Sequence, residues 1–154
     1  MNLFKFCYYW LLVVSWLITF FGLGLIIITH STLINVINKP VLEAFKLSSN
    51  VFEAQKIINW LYCVLGATMA GWGAFIWFVL KNAFAKKETW AWFAVLISMG
   101  IWFVPDTLIS AICNVYFNVV VNSLILIFIV MPLSFVYHDF FKPSENYLKN
   151  KRKL

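Results

Sequence analysis

Read for apolar and polar positions, the chain divides into three long tracts that are almost free of charge. Residues 6–38 and 57–80 contain no Asp, Glu, Lys or Arg, and residues 89–138 contain only Asp106. The first tract opens with an apolar run from Phe6 to Thr29, interrupted by Ser15 and Thr19. About 20 such residues suffice to cross a bilayer as a helix. A secretory leader has an apolar stretch of about 7–15 residues and ends at small side chains. This run instead ends Ile26-Ile27-Ile28-Thr29-His30, which predicts an uncleaved span over 7–29. The second tract predicts a span over 57–80, with its helix starting earlier because Asn50 and Glu53 have capping-box spacing. The third is long enough for two spans and a turn, placed at 90–110 and 117–136, with Pro105 interrupting the pattern. The predicted fold is therefore all-α and integral to a membrane: an antiparallel four-helix transmembrane bundle forming a single domain over residues 1–154.

The connection over 30–56 is too long to be structureless in so small a protein. Pro40 suits a first helical turn, and Val41, Leu42 and Phe45 then share one face with Glu43 and Lys46 opposite. A short amphipathic helix is predicted there, either an interfacial anchor or a lid over the mouth of the bundle.

Composition narrows the class. With 63% apolar and 12% charged residues, the chain is unlike an ordinary soluble domain, in which roughly 25% are charged. Charge placement then predicts orientation. Lys5, Lys81, Lys86, Lys87, Lys142, Lys149, Lys151, Arg152 and Lys153 fall on one side, and only Lys39, Lys46 and Lys56 on the other. Positive charge collects on the cytoplasmic side, so both termini are expected in the cytoplasm and the chain in a cytoplasmic (inner) membrane. Tyr8, Tyr9, Trp10, Trp90, Trp92 and Tyr137 would mark the inner interface, and Trp60, Tyr62, Trp102 and Tyr116 the outer. The basic tail over 138–154 is expected to touch anionic lipid. It has no interleaved aromatics that would suggest nucleic acid.

Asp106 needs the most explanation, because a carboxylate within a span costs at least a few kcal/mol unless it is neutral, paired or wet. It stands about 24 Å along the helix from Trp90, beneath the outer interface. One reading is local: Pro105 frees a carbonyl and Asp106 caps the resuming helix. The other is a functional carboxylate, because Asp106, Ser110, Asn114, Asn118 and Asn122 recur every four residues. Across two spans these side chains would either hydrogen-bond helix to helix or line a polar cavity. His30, ending the first span on the same side, is the candidate partner of Asp106.

Gly66, Ala70 and Ala74, with Ala67, Gly71 and Gly73 beside them, give overlapping rows of small residues that read as a helix-packing surface. No catalytic motif is present, so no catalytic residues are assigned. His30 and His138 fall at opposite ends of the predicted bundle, and Cys7, Cys63 and Cys113 form no C-x-x-C. No metal site and no cofactor are expected, and the cysteines read as free thiols.

Gly71-Trp72-Gly73, Trp90-Ala91-Trp92, Trp102-Phe103 followed by Asp106-Thr107, then Asn118 and Asn122, resemble a pattern in small bacterial four-span membrane proteins. The likeness covers residues of about 60–136 and implies the same fold without implying an activity. The functional expectation is a binding or accessory protein with an outer-facing polar site around Asp106, partnered by the bilayer and by copies of itself or a larger membrane complex. The alternatives are a small oligomeric proton- or ion-coupled transporter or channel, and a membrane-embedded enzyme using Asp106 and His30.

Overall fold

The computed structural model describes residues 2–45 and 52–141, with only the backbone of residues 52–54. The capping box at Asn50, Lys46 and the basic residues from Lys142 onward lie outside the described residues. All regular structure within them is helical. Four helices are long and apolar enough to cross a membrane: α1 (Leu3–Ile28), α3 (Phe52–Asn82), α4 (Thr89–Ile112) and α5 (Tyr116–Phe135). Two short helices accompany them, α2 (Asn35–Ala44) after α1 and α6 (Tyr137–Phe141) after α5.

Helix α1 begins four residues before the expected span because the Asn2 side chain accepts from the Phe4 N–H at 3.2 Å, satisfying one orphan donor of the first turn. It packs along α3 and also against α5, while α4 packs mainly on α5. Phe4 stacks on Phe84 just past the end of α3, Trp16 meets Trp77 at a tilt of 57°, and Gly22 meets Gly66, so residue numbers fall along α3 as they rise along α1. The same opposition holds between α4 and α5, where Trp92 reaches Leu133 and Thr107 reaches Asn122.

The α1–α3 seam depends on missing side chains. A Cβ on Gly66 would lie 2.5 Å from the Gly22 carbonyl oxygen, and one on Gly73 would lie 2.8 Å from the Ser15 carbonyl oxygen. Ala70 is buried in the same seam and Ala74 half-buried. Gly71 corrects the sequence expectation: nothing lies within 4 Å of its would-be Cβ, and it faces outward. The reason is angular, since Gly71 stands 100° around the helix from Ala70. The complementary stripe on α1, made of Ser15, Thr19 and Gly22, was legible in its spacing. The two hydroxyls obscured it, but both turn back onto helix carbonyls, of Leu12 and Ser15, and cost the membrane no unpaired donor.

Among the described residues a shared apolar core lies toward the end of the molecule that holds the α3–α4 turn, with Leu25 and Ile34 buried apart from it. It runs from Phe4, Phe84 and Phe140 up to Ile18, Met99 and Ile129. Trp92 belongs to this core and is 8% exposed, not an interfacial residue as its position suggested. Its indole N–H donates to the Leu133 carbonyl at 3.0 Å, and that of Trp10 donates to the Phe128 carbonyl at 2.9 Å. The second bond has a covalent origin: Pro132 lacks the N–H that would otherwise bond Phe128 four residues back. Trp92→Phe is expected to lower unfolding stability by about 1–3 kcal/mol by orphaning a buried carbonyl. Trp90→Phe, whose exposed N–H meets Glu88 at 2.6 Å, should change it little; thermal unfolding of both variants in detergent checks the contrast.

At the core-filled end Lys87 pairs with Asp139 at 2.8 Å and lies 4.5 Å from the Phe4 ring centroid. Lys87 itself closes the turn with φ 60°, and the Glu88 N–H reaches back to the Ala83 carbonyl. At the opposite end, Ser31 accepts from Leu33 N–H and a single 3-10 turn feeds directly into α2. That early start puts Pro40 at the sixth position of α2 rather than in its first turn. The Val36 carbonyl that Pro40 leaves unbonded belongs to a residue 74% exposed, where outside donors can reach. Asn38 is the buried residue of α2, next to the buried Ile34 of the preceding turn, with Val41 and Leu42 half-buried; Phe45 is exposed, contrary to its expected place on the apolar face.

Candidate functional site

The site is built where α4 turns into α5. Helix α4 runs unbroken through Pro105, so Asp106 caps no resuming helix. Its Oδ1 accepts from Asn118 Nδ2 at 2.9 Å and from Ser110 Oγ at 3.3 Å, and Asn118 Nδ2 also donates to Ser110 Oγ at 2.8 Å. Both amide hydrogens of Asn118 are thereby used, and the three side chains close a ring that ties α5 to α4. Four residues further along α5, Asn122 Nδ2 donates to Thr107 Oγ1 at 3.3 Å. Ser110 and Asn122 are buried, Asp106, Thr107 and Asn118 half-buried.

Of the sequence-selected residues, Asp106, Ser110, Asn118 and Asn122 are therefore brought together. Asn114 is not. It is exposed, holds φ 60° and bonds the exposed Tyr116 hydroxyl at 3.3 Å. The adjoining bonds, Val115 N–H to the Ser110 carbonyl and Asn114 N–H to the Ala111 carbonyl, are those of a helix ending on a left-handed residue. Asn suits that conformation, so its fourfold spacing has a backbone cause. Asn114→Gly is expected to be neutral or mildly stabilising and Asn114→Val to cost about 1–2 kcal/mol, read by chemical or thermal unfolding.

His30 also stands apart. It is exposed and forms neither an ion pair nor a side-chain hydrogen bond with Asp106 among the described residues, so the acid–base pair expected of an enzyme is not assembled. Thr107 is the site member the sequence reading missed. Its signal was the i, i+1 adjacency to Asp106, which gives α4 two neighbouring positions facing α5.

Asp106 Oδ2 accepts no hydrogen bond from the described residues. Helices α3 and α4 come together near their shared turn and along a shallow apolar cleft lined by Phe75, Ile76, Val79, Ala94, Val95 and Ser98. Above it Trp72 and Trp102 meet with centroids 5.5 Å apart at 48°. Beyond this pair no ring contact or hydrogen bond joins the two helices among the described residues. Trp102 packs against the core, one turn from Asp106. Neither indole N–H of the pair has a partner among the described residues.

Among the described residues no three His, Cys, Asp or Glu side chains gather as metal ligands, and Cys7, Cys63 and Cys113 are free thiols. No family model, curated protein or solved structure matches the chain. The functional reading therefore rests on its own residues.

Proposed function

We propose that this protein is a binding or accessory protein of the cytoplasmic membrane, with a site around Asp106 that opens outward between α3 and α4. In this reading the four spans form an antiparallel bundle with both termini in the cytoplasm, as the distribution of Lys and Arg favours. The amphipathic α2 then lies at the outer surface, and the basic tail rests on anionic lipid. The observation that carries the proposal is the half-used carboxylate. Asp106 Oδ1 is fixed by Ser110 and Asn118 while Oδ2 accepts no hydrogen bond from the described residues, one helical turn from Trp102 and its partner Trp72. A purely structural hydrogen-bond clamp would need only the first half of that arrangement. Ser110 and Asn118 fix the carboxylate through one oxygen, which leaves the other for a ligand.

A second reading, a small oligomeric proton- or ion-coupled transporter or channel, is favoured by one observation: the main apolar cluster lies toward one end of the molecule, and the buried polar residues Asn38, Ser110 and Asn122 lie toward the other. A transporter halted in one of its two states has that form. The two readings part in one experiment. Protein extracted with its native lipids should carry a bound molecule by native mass spectrometry that Asp106→Asn releases, and proteoliposomes should show no Asp106-dependent flux. An equal load in both proteins would remove the binding reading, and flux abolished by Asp106→Asn would replace it with transport.

A further inference from the structure

We propose that the site takes an organic ammonium cation, held between the Asp106 carboxylate and the faces of Trp72 and Trp102; this rests on the binding reading above. Trp102 and Asp106 are four residues apart on α4, so their side chains leave the same side of the helix about 6 Å apart in rise. Trp72 comes from α3, and its ring meets Trp102 at a tilt of 48° with centroids 5.5 Å apart. The two rings meet at a tilt rather than as a parallel stack, so their faces are turned to different sides. Both are half-buried against the edge of the packed core. A cation there would rest against two negative π faces and below one anionic oxygen.

The chemistry selects among cations. A small hard ion such as sodium needs several oxygen ligands at short range, and the site offers one free carboxylate oxygen and the Asn118 Oδ1. A quaternary or alkylated ammonium is weakly hydrated, and its charge is spread over methyl groups that lie well on indole faces. Such contacts are worth about 0.5–2 kcal/mol each, more where water is excluded. An anion is disfavoured by Asp106 and by the lack of any Lys or Arg within 89–138.

The test uses the full chain in nanodiscs of phosphatidylglycerol, whose headgroup carries no ammonium, with empty nanodiscs as the blank, benzyltrimethylammonium as probe and its uncharged carbon isostere, neopentylbenzene, as control. Saturable binding of the cation is expected, with no competition from the control. Asp106→Asn, which keeps an acceptor for Asn118 and Ser110, should weaken binding at least tenfold. Trp102→Leu should weaken it about fivefold or more, and Trp102→Phe, retaining a smaller π face, should fall between. Cation binding unchanged in Asp106→Asn, equal competition by the control, or displacement by sodium chloride at matched concentration would overturn the inference. A thiol placed at position 107 reports whether water reaches the site whatever the ligand. A labelled Thr107→Cys with no ammonium binding therefore sinks this inference alone, and an unlabelled one sinks the binding reading beneath it.

Discussion

Gly66→Leu should abolish folding of the protein to its native, monodisperse form, while Gly71→Leu, five residues along the same helix, should leave it unchanged. At Gly66 even a methyl group would sit 2.5 Å from the Gly22 carbonyl oxygen. The obstacle is backbone, so no side-chain rotation relieves it and α1 must move off α3. Overpacking in a tight interface costs about 1–3 kcal/mol where neighbours can yield, and here the loss of the α1–α3 seam adds to it. At Gly71 nothing lies within 4 Å, and an extra leucine only adds apolar surface facing outward. Size-exclusion profiles and thermal unfolding of the two variants, expressed side by side, measure the difference. Equal behaviour would mean that the two helices do not meet at the Gly22–Gly66 crossing.

The second large effect is expected at Asp106 and depends on the replacement. Asp106→Leu removes the acceptor that both Asn118 and Ser110 use, leaving an amide and a hydroxyl to find partners in an apolar setting. A loss of about 2–3 kcal/mol is expected from the unpaired donors. Asp106→Asn keeps an oxygen in the same place, and its stability should stay within about 1 kcal/mol of wild type. The gap between the two variants separates the hydrogen-bonding role of the residue from its charge. Asn118→Leu should resemble Asp106→Leu, and the double variant should cost less than the sum, because the partners share one ring of bonds.

Much of this was legible in the sequence because a bilayer imposes a coarse rule. Uninterrupted apolar length predicts spans, and the four long helices fall where the charge-free tracts placed them, with shifts of a few residues set by Asn2 at one end and by the left-handed Asn114 at another. The polar residues were harder to read. Fourfold spacing grouped Asp106, Ser110, Asn118 and Asn122 correctly, since two helices joined by a short turn bring such rows face to face. It misplaced Asn114, because backbone conformation, which periodicity does not report, chose that residue. Trp92 and Trp102 were grouped with the interfacial aromatics, and their spacing did not reveal that Trp92 donates to the Leu133 carbonyl or that Trp102 meets Trp72. Asn38 could not be foreseen either. It is 3% exposed on the inner face of α2, with neither amide atom bonded among the described residues, a position its polarity argues against.

Water access to the Asp106 site from the outer side is the central claim, and one labelling experiment addresses it. Thr107→Cys, in a background where Cys7, Cys63 and Cys113 are replaced by alanine, is exposed to a small membrane-impermeant thiol reagent, applied to intact spheroplasts and to inverted vesicles. Modification from the outer side only, slowed by an occupying ammonium compound, is the result expected of an outward-opening site. Modification from the inner side only, or none on either side until the protein is unfolded, would contradict it and leave the Asp106 ring as a structural tie between two helices.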